Sequence, residues 1–135
     1  ERSRGLGDVY KRQTNDSLLG AALLNSTISY LSAEVLARKT YGIGVAYIYG
    51  PEIRGLTMLN PSVLSDTAKQ QVISAFTRMR KRELLKLERE VSQEDRRELD
   101  RVVFETLGLT EAEQLEVYRA VVELVKNRLV KAGSV

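Results

Sequence analysis

The chain has 135 residues, 43% of them apolar, with 21 Lys and Arg against 18 Asp and Glu and with neither His nor Cys. That length makes one ordinary domain or part of one, and the missing Cys and His exclude thiol nucleophiles, imidazole bases, disulfides and the common zinc sites. Any chemistry would rest on carboxylates, Lys, Tyr or Ser, and because no apolar run reaches the roughly 18 residues of a membrane span, a soluble, cytoplasmic protein without membrane contacts is expected.

The first segment is unlike the rest. Residues Ser3 to Gln13 read SRGLGDVYKRQ. The last six can be encoded by GAT GTG TAT AAG AGA CAG, which resembles the transposon end used to prepare sequencing libraries, and SRGLG continues the same adapter in frame. A native reading would make Arg4, Lys11 and Arg12 a basic arm. The adapter resemblance is the better account, so residues 1–13 are expected to be a non-native leader. The leader holds four of the basic and two of the acidic residues, leaving 17 and 16, a net charge of +1. Whole-domain charge therefore neither supports nor excludes nucleic acid as a partner.

From Ser17 to about Lys39, Leu19, Leu23, Leu24, Ile28, Leu31, Val35 and Leu36 recur at three- and four-residue steps, which predicts a buried helix. Its middle carries Asn25, Ser26, Thr27 and Ser29, poor helix-interior residues unless their side chains bond to backbone or to a neighbouring element. Tyr41-Gly42-Ile43-Gly44 breaks the helix, Val45 to Tyr49 reads as a short strand ended by Gly50-Pro51, and Ile53 to Leu59 reads as a second extended stretch.

After Pro61 the pattern is helical. Ser65 or Asp66 can cap a helix whose apolar positions Val72, Phe76, Met79, Leu84, Leu87 and Val91 follow helical spacing, with one slip near Lys81 and Arg82. Ser92 with Asp95 resembles a helix start, followed by Leu99, Val102, Val103 and Leu107, with Gly108 as a stop. Thr110 with Glu113 is a full capping box opening a last helix, with Leu115, Tyr118, Val122, Val125 and Leu129 on one face. The fold class expected is mainly α, a helical appendage with a small two-stranded β insert.

Two strings carry a family resemblance. Residues 23–61, LLNSTISYLSAEVLARKTYGIGVAYIYGPEIRGLTMLNP, resemble the region near the end of many adenine-N6 DNA methyltransferases of restriction-modification type, where a Leu-Asn-Ser helix leads to a basic residue, a Gly-x-Gly turn and a short strand. Residues 99–129, LDRVVFETLGLTEAEQLEVYRAVVELVKNRL, resemble the ending of the same proteins. The resemblance implies that residues 14–61 close the DNA target-recognition region and residues 62–135 form a helical carboxy-terminal tail. It implies duplex DNA and an upstream catalytic domain as partners, and S-adenosylmethionine as the cofactor of the parent enzyme.

The family's catalytic signatures are missing here. There is no glycine-containing cofactor loop, and Asn60-Pro61-Ser62-Val63 lacks the second proline and the aromatic ring of the Asn-Pro-Pro-Tyr/Phe motif that stacks a flipped adenine. Gly42-Ile43-Gly44 runs from helix to strand, the reverse of what phosphate binding at a helix amino terminus requires. No catalytic, cofactor-binding or metal residue is expected in this fragment, which alone should be inactive.

DNA contacts are expected at Arg38, Lys39, Tyr41, Gly42 and Gly44, where cations beside a glycine turn can reach a phosphate; the alternative is that Arg38 and Lys39 complement the helix dipole. Arg78, Arg80, Lys81 and Arg82 are read as a solvated helix face paired with Glu83, Glu88 and Glu90, in preference to a phosphate track. Glu34 is buried by position and could pair with Arg38 four residues on, while Asp95, Glu98, Asp100, Glu111 and Glu113 are expected at helix starts or on exposed faces. The rival function is a stand-alone helical module that binds a partner protein.

Overall fold

The computed structural model describes residues 16–39 and 46–133. The leader expected at residues 1–13 lies outside them. The chain is mainly α: residues 16–24 (α1), Thr27–Leu36 (α2), the strands Arg38–Lys39 (β1) and Ala46–Tyr47 (β2), Gly50–Ile53 (α3), a 3-10 turn at Pro61–Val63, then Asp66–Met79 (α4), Leu87–Glu90 (α5), Glu94–Thr106 (α6) and Glu111–Lys131 (α7).

The single helix expected from Ser17 to Lys39 is two. Asn25 and Ser26 leave the helix, and Ser26 becomes the N-cap of α2 by accepting from the Ser29 backbone N–H. The polar residues singled out within this stretch are thus a cap, and capping satisfies amide hydrogens that a helix start leaves without partners. The second helix also stops earlier than expected, at Leu36, because Ala37 turns extended and Arg38 and Lys39 pair antiparallel with Tyr47 and Ala46. Of the strand expected over Val45 to Tyr49, Ala46–Tyr47 are strand, Ile48 and Tyr49 are not, and Val45 lies outside the described residues. The extended stretch expected over Ile53 to Leu59 begins instead as the last residue of α3, whose start is closed by the Glu52 carboxylate on the Tyr49 N–H at 3.2 Å.

The later helices keep their expected order with shifted edges. Ser65 caps α4 by accepting from Ala68 N–H, the Thr110–Glu113 capping box opens α7, and Gly108 takes φ 73° after α6, a conformation glycine adopts without steric cost. The slip in helical spacing near Lys81 and Arg82 is a full break: α4 ends at Met79, Arg80 to Lys86 form a connector, and helix resumes only at Leu87. Gln93, not Ser92, is the N-cap of α6.

The sixth helix is the centre of the fold. Leu99 and Val103 on one side enter an apolar cluster with Leu19, Leu23, Val72, Ala75 and Phe76 of α1 and α4. On the other side Phe104 packs with Val91, Tyr118 and Val121, its ring edge-on to Tyr118 at 5.6 Å between centroids. Leu99, Val103 and Phe104 are at most 1% exposed, and each such side chain contributes roughly 1.5–3 kcal/mol by leaving water. Between the two apolar clusters runs a polar seam, where α6 meets α2 and α7.

Candidate functional site

The basic segment expected to meet DNA follows α2 as the first strand of an antiparallel pair, β1 with β2. Arg38 and Lys39 form that first strand, so their backbone lies just beyond the end of α2 and not on its last turn. Tyr41, Gly42 and Gly44 fall outside the described residues. On the return strand Tyr47 stacks near Tyr49, ring centroids 6.3 Å apart at 27°. Tyr47, Ile48, Tyr49, Ile53 and Met58 are all exposed, a run of large apolar side chains following the hairpin.

That hairpin is held by the elements around it. Both backbone groups of Thr57 are tied to α2: its N–H donates to Ser32 Oγ at 2.8 Å, and its carbonyl accepts from Ser29 Oγ at 2.7 Å. Segment 46–58 is thereby folded back onto the helix that leads into β1. The second helix is in turn fixed at both ends by charged residues from far along the chain.

At its amino end stands Asp100, fully buried. It accepts from Thr27 N–H at 2.8 Å, Thr27 Oγ1 at 2.5 Å and Tyr118 Oη at 2.8 Å. Burial pushes the Asp100 carboxyl above its ordinary range, opposed by the three hydrogen bonds. The Tyr118 hydroxyl is also driven up, first by burial and then by the Asp100 charge it faces. Asp100 was expected on an exposed face; its position four residues before Phe104 and one after Leu99 turns it into the seam instead.

At the other end Glu34, 5% exposed, receives the Arg128 guanidinium, Nε at 2.7 Å and Nη2 at 3.2 Å. The candidate partner, Arg38, is in the strand beyond the helix, so the four-residue helical spacing does not exist. Two-point recognition of a carboxylate is what a planar guanidinium favours.

A second charged group locks the connector before α6. Arg82 forks onto Asp95 at 2.7 Å through Nε and Nη2, and onto Glu90 at 2.9 Å through Nη1 and Nη2. Arg96 adds Nε to Glu90 at 3.0 Å and Nη1 to the Asn25 carbonyl at 2.8 Å, reaching the break between α1 and α2. The Arg82 and Arg96 guanidiniums hold the Glu90 carboxyl down to about 2, and Arg82 holds Asp95 below its usual value. The reading of Arg78 to Arg82 as a solvated face holds for Arg78, Arg80 and Lys81, which are exposed, with Arg78 paired to Glu98 across to α6 and Arg80 5.9 Å over the Phe76 ring; it is corrected for Arg82, which is half-buried in a three-way ion network. Asp95 and Glu90, expected in helix-dipole and helical-spacing roles, are its buried acids.

Sequence reasoning missed this network because its members meet through folding. The one local signal was the run Asn25, Ser26, Thr27, Ser29, whose poor fit to a helix interior required partners elsewhere. Among the described residues, no buried side-chain N or O lacks a hydrogen bond, and no cluster of three or more acids could hold a metal ion. No helix among them is long and apolar enough to cross a membrane. No family model, no curated protein and no solved structure matches this chain.

Proposed function

We propose that this chain is the carboxy-terminal part of a site-specific adenine-N6 DNA methyltransferase. In this reading it supplies scaffold and DNA contacts to a catalytic domain that precedes it. The intact enzyme transfers the methyl group of S-adenosylmethionine to the exocyclic amine of adenine. In this reading Arg38, Lys39, Tyr41, Gly42 and Gly44 border the DNA, and the two cations meet backbone phosphates.

The observation that carries this reading is the way the two family-like segments join. Residues 23–61 and 99–129 are the strings that resemble the methyltransferase ending, and buried polar contacts link them at both ends of α2: Thr27 to Asp100, and Glu34 to Arg128. Two resemblances that pack as one unit are better support than two found separately along a sequence. The exposed run from Tyr47 to Met58 suits a surface covered by the upstream domain. The same run is the feature that favours the rival reading, a stand-alone helical module whose apolar surface binds a partner protein.

Labelled-methyl transfer to mixed-sequence duplex DNA separates the two. The chain joined to its upstream coding sequence transfers methyl groups to adenine N6, whereas this chain alone neither transfers nor binds S-adenosylmethionine. Transfer by the chain alone would remove the fragment reading. An upstream sequence without a cofactor loop would remove the methyltransferase reading and leave the interaction module.

A further inference from the structure

We propose that the cleft between α6 and the first half of α7 is a binding site for a phosphate group, held by Arg97 and Arg101. The cleft has a volume of about 570 Å³, and its walls include Arg97, Arg101, Glu111, Gln114, Leu115 and Tyr118. That is the size of a small-ligand site. Arg101 stands at the edge of the cleft and also borders the neighbouring groove that holds the Arg78–Glu98 pair, while none of the cleft's lining residues belongs to the hairpin that carries Arg38 and Lys39.

The two arginines differ from their neighbours in what they contact. Arg78, Arg82, Arg96, Arg119 and Arg128 each pair with a carboxylate. Arg97 gives its Nε to the Val91 carbonyl at 2.6 Å and lays its guanidinium 3.8 Å over the Tyr118 ring, which leaves both terminal nitrogens without an acceptor. Arg101, one helical turn on, makes no hydrogen bond or ion pair with any described residue. Four positions apart on α6, the two side chains share one face of the helix.

Stacking and the Val91 bond fix Arg97 before any ligand arrives, so little side-chain freedom remains to be lost on binding. Glu111 is the acid on the opposite wall of the cleft; Glu98 and Glu105 flank Arg101 in the neighbouring groove, where Glu98 is paired with Arg78, so two guanidiniums against one lining carboxylate leave the cleft itself net positive. A phosphate suits this arrangement better than a carboxylate, because its oxygens point in more than one plane and can meet two separate guanidinium forks. Gln114 offers a further polar contact from α7, although its Nε2 is already given to the Leu109 carbonyl at 3.0 Å, and Leu115 gives an apolar wall. The site stands whether or not the methyltransferase reading holds.

The test is a titration of the full chain with inorganic phosphate at low ionic strength, followed by amide chemical shifts and by calorimetry. Saturable binding is expected, with shifts centred on residues 97–118. Arg101→Gln, at an exposed position with no partner to lose, should keep the thermal midpoint and weaken phosphate about tenfold, the change expected for one charge-assisted contact. Arg119→Gln, an exposed arginine on α7 outside the cleft, should bind as the unaltered chain does. Competition arms with adenosine monophosphate and with a short duplex identify the source: displacement by the duplex alone assigns the group to a nucleic-acid backbone, and displacement by the nucleotide assigns it to a small molecule. Either result upholds the site. Absence of saturable binding, or equal weakening by Arg101→Gln and Arg119→Gln, overturns it.

Discussion

Tyr118 donates its hydroxyl hydrogen to Asp100 at 2.8 Å, joining α7 to α6 at the same carboxylate that holds the first residue of α2. One acid thus closes the junction of three helices. Asp100→Ala leaves the Thr27 N–H, the Thr27 hydroxyl and the Tyr118 hydroxyl buried without their acceptor, and should cost about 3 kcal/mol or more in urea unfolding. Tyr118→Phe removes one bond while Thr27 keeps its own, and should cost about 1 kcal/mol. Equal losses for the two variants would show that the carboxylate does not serve α2.

The Glu34–Arg128 pair gives a second comparison. Arg128→Ala strands a buried carboxylate and should destabilise the chain by about 2 to 3 kcal/mol, toward the lower end of what buried pairs show because Arg128 keeps some contact with water. Chemical denaturation of Arg128→Ala and Arg38→Ala side by side checks this. A larger loss for Arg38→Ala would restore the helical pairing that the early end of α2 removes.

Acid stability follows from carboxylates that titrate in opposite senses. Glu90 is held down from 4.5 to about 2 by Arg82 and Arg96, so its stabilisation is complete above pH 4.5 and is lost as pH falls toward 2. That displacement corresponds to on the order of 3 kcal/mol. Asp95, also held down by Arg82, adds to the same acid loss. Asp100 works the other way: its raised pKa makes its contribution largest below 3.8 and diminishes it as pH rises. Unfolding free energies measured at pH 7 and pH 2.5 should differ much less in Glu90→Gln than in the unaltered chain. An unchanged pH dependence in that variant would place the acid sensitivity elsewhere.

What was legible in the sequence was what local spacing controls. The Thr110–Glu113 box, the Ser65 cap and the Gly108 stop depend on neighbours within a turn, and each stands where the pattern put it. The helical class followed from apolar periodicity over the same segments. The charged seam did not, because Glu34 finds Arg128 across 94 positions and Thr27 finds Asp100 across 73. Helical spacing offered Glu34 a nearer partner in Arg38, but α2 ends at Leu36 and packs against α7, which brings Arg128 to Glu34 instead. Arg38 and Lys39 illustrate the same limit: strand pairing with Tyr47 and Ala46 takes them off the helix that apolar spacing extended to Lys39.

Duplex binding by the chain joined to its upstream catalytic region, measured across a range of salt concentrations, tests the central claim most directly. Arg38→Ala with Lys39→Ala should weaken binding and lower the salt slope by roughly one to two units, the signature of lost phosphate contacts. The thermal midpoint should hold. The contradicting result is a double variant that binds with unaltered affinity and slope while neutralising Arg80 and Lys81 abolishes binding, which would put the DNA surface at the end of α4 and away from the hairpin.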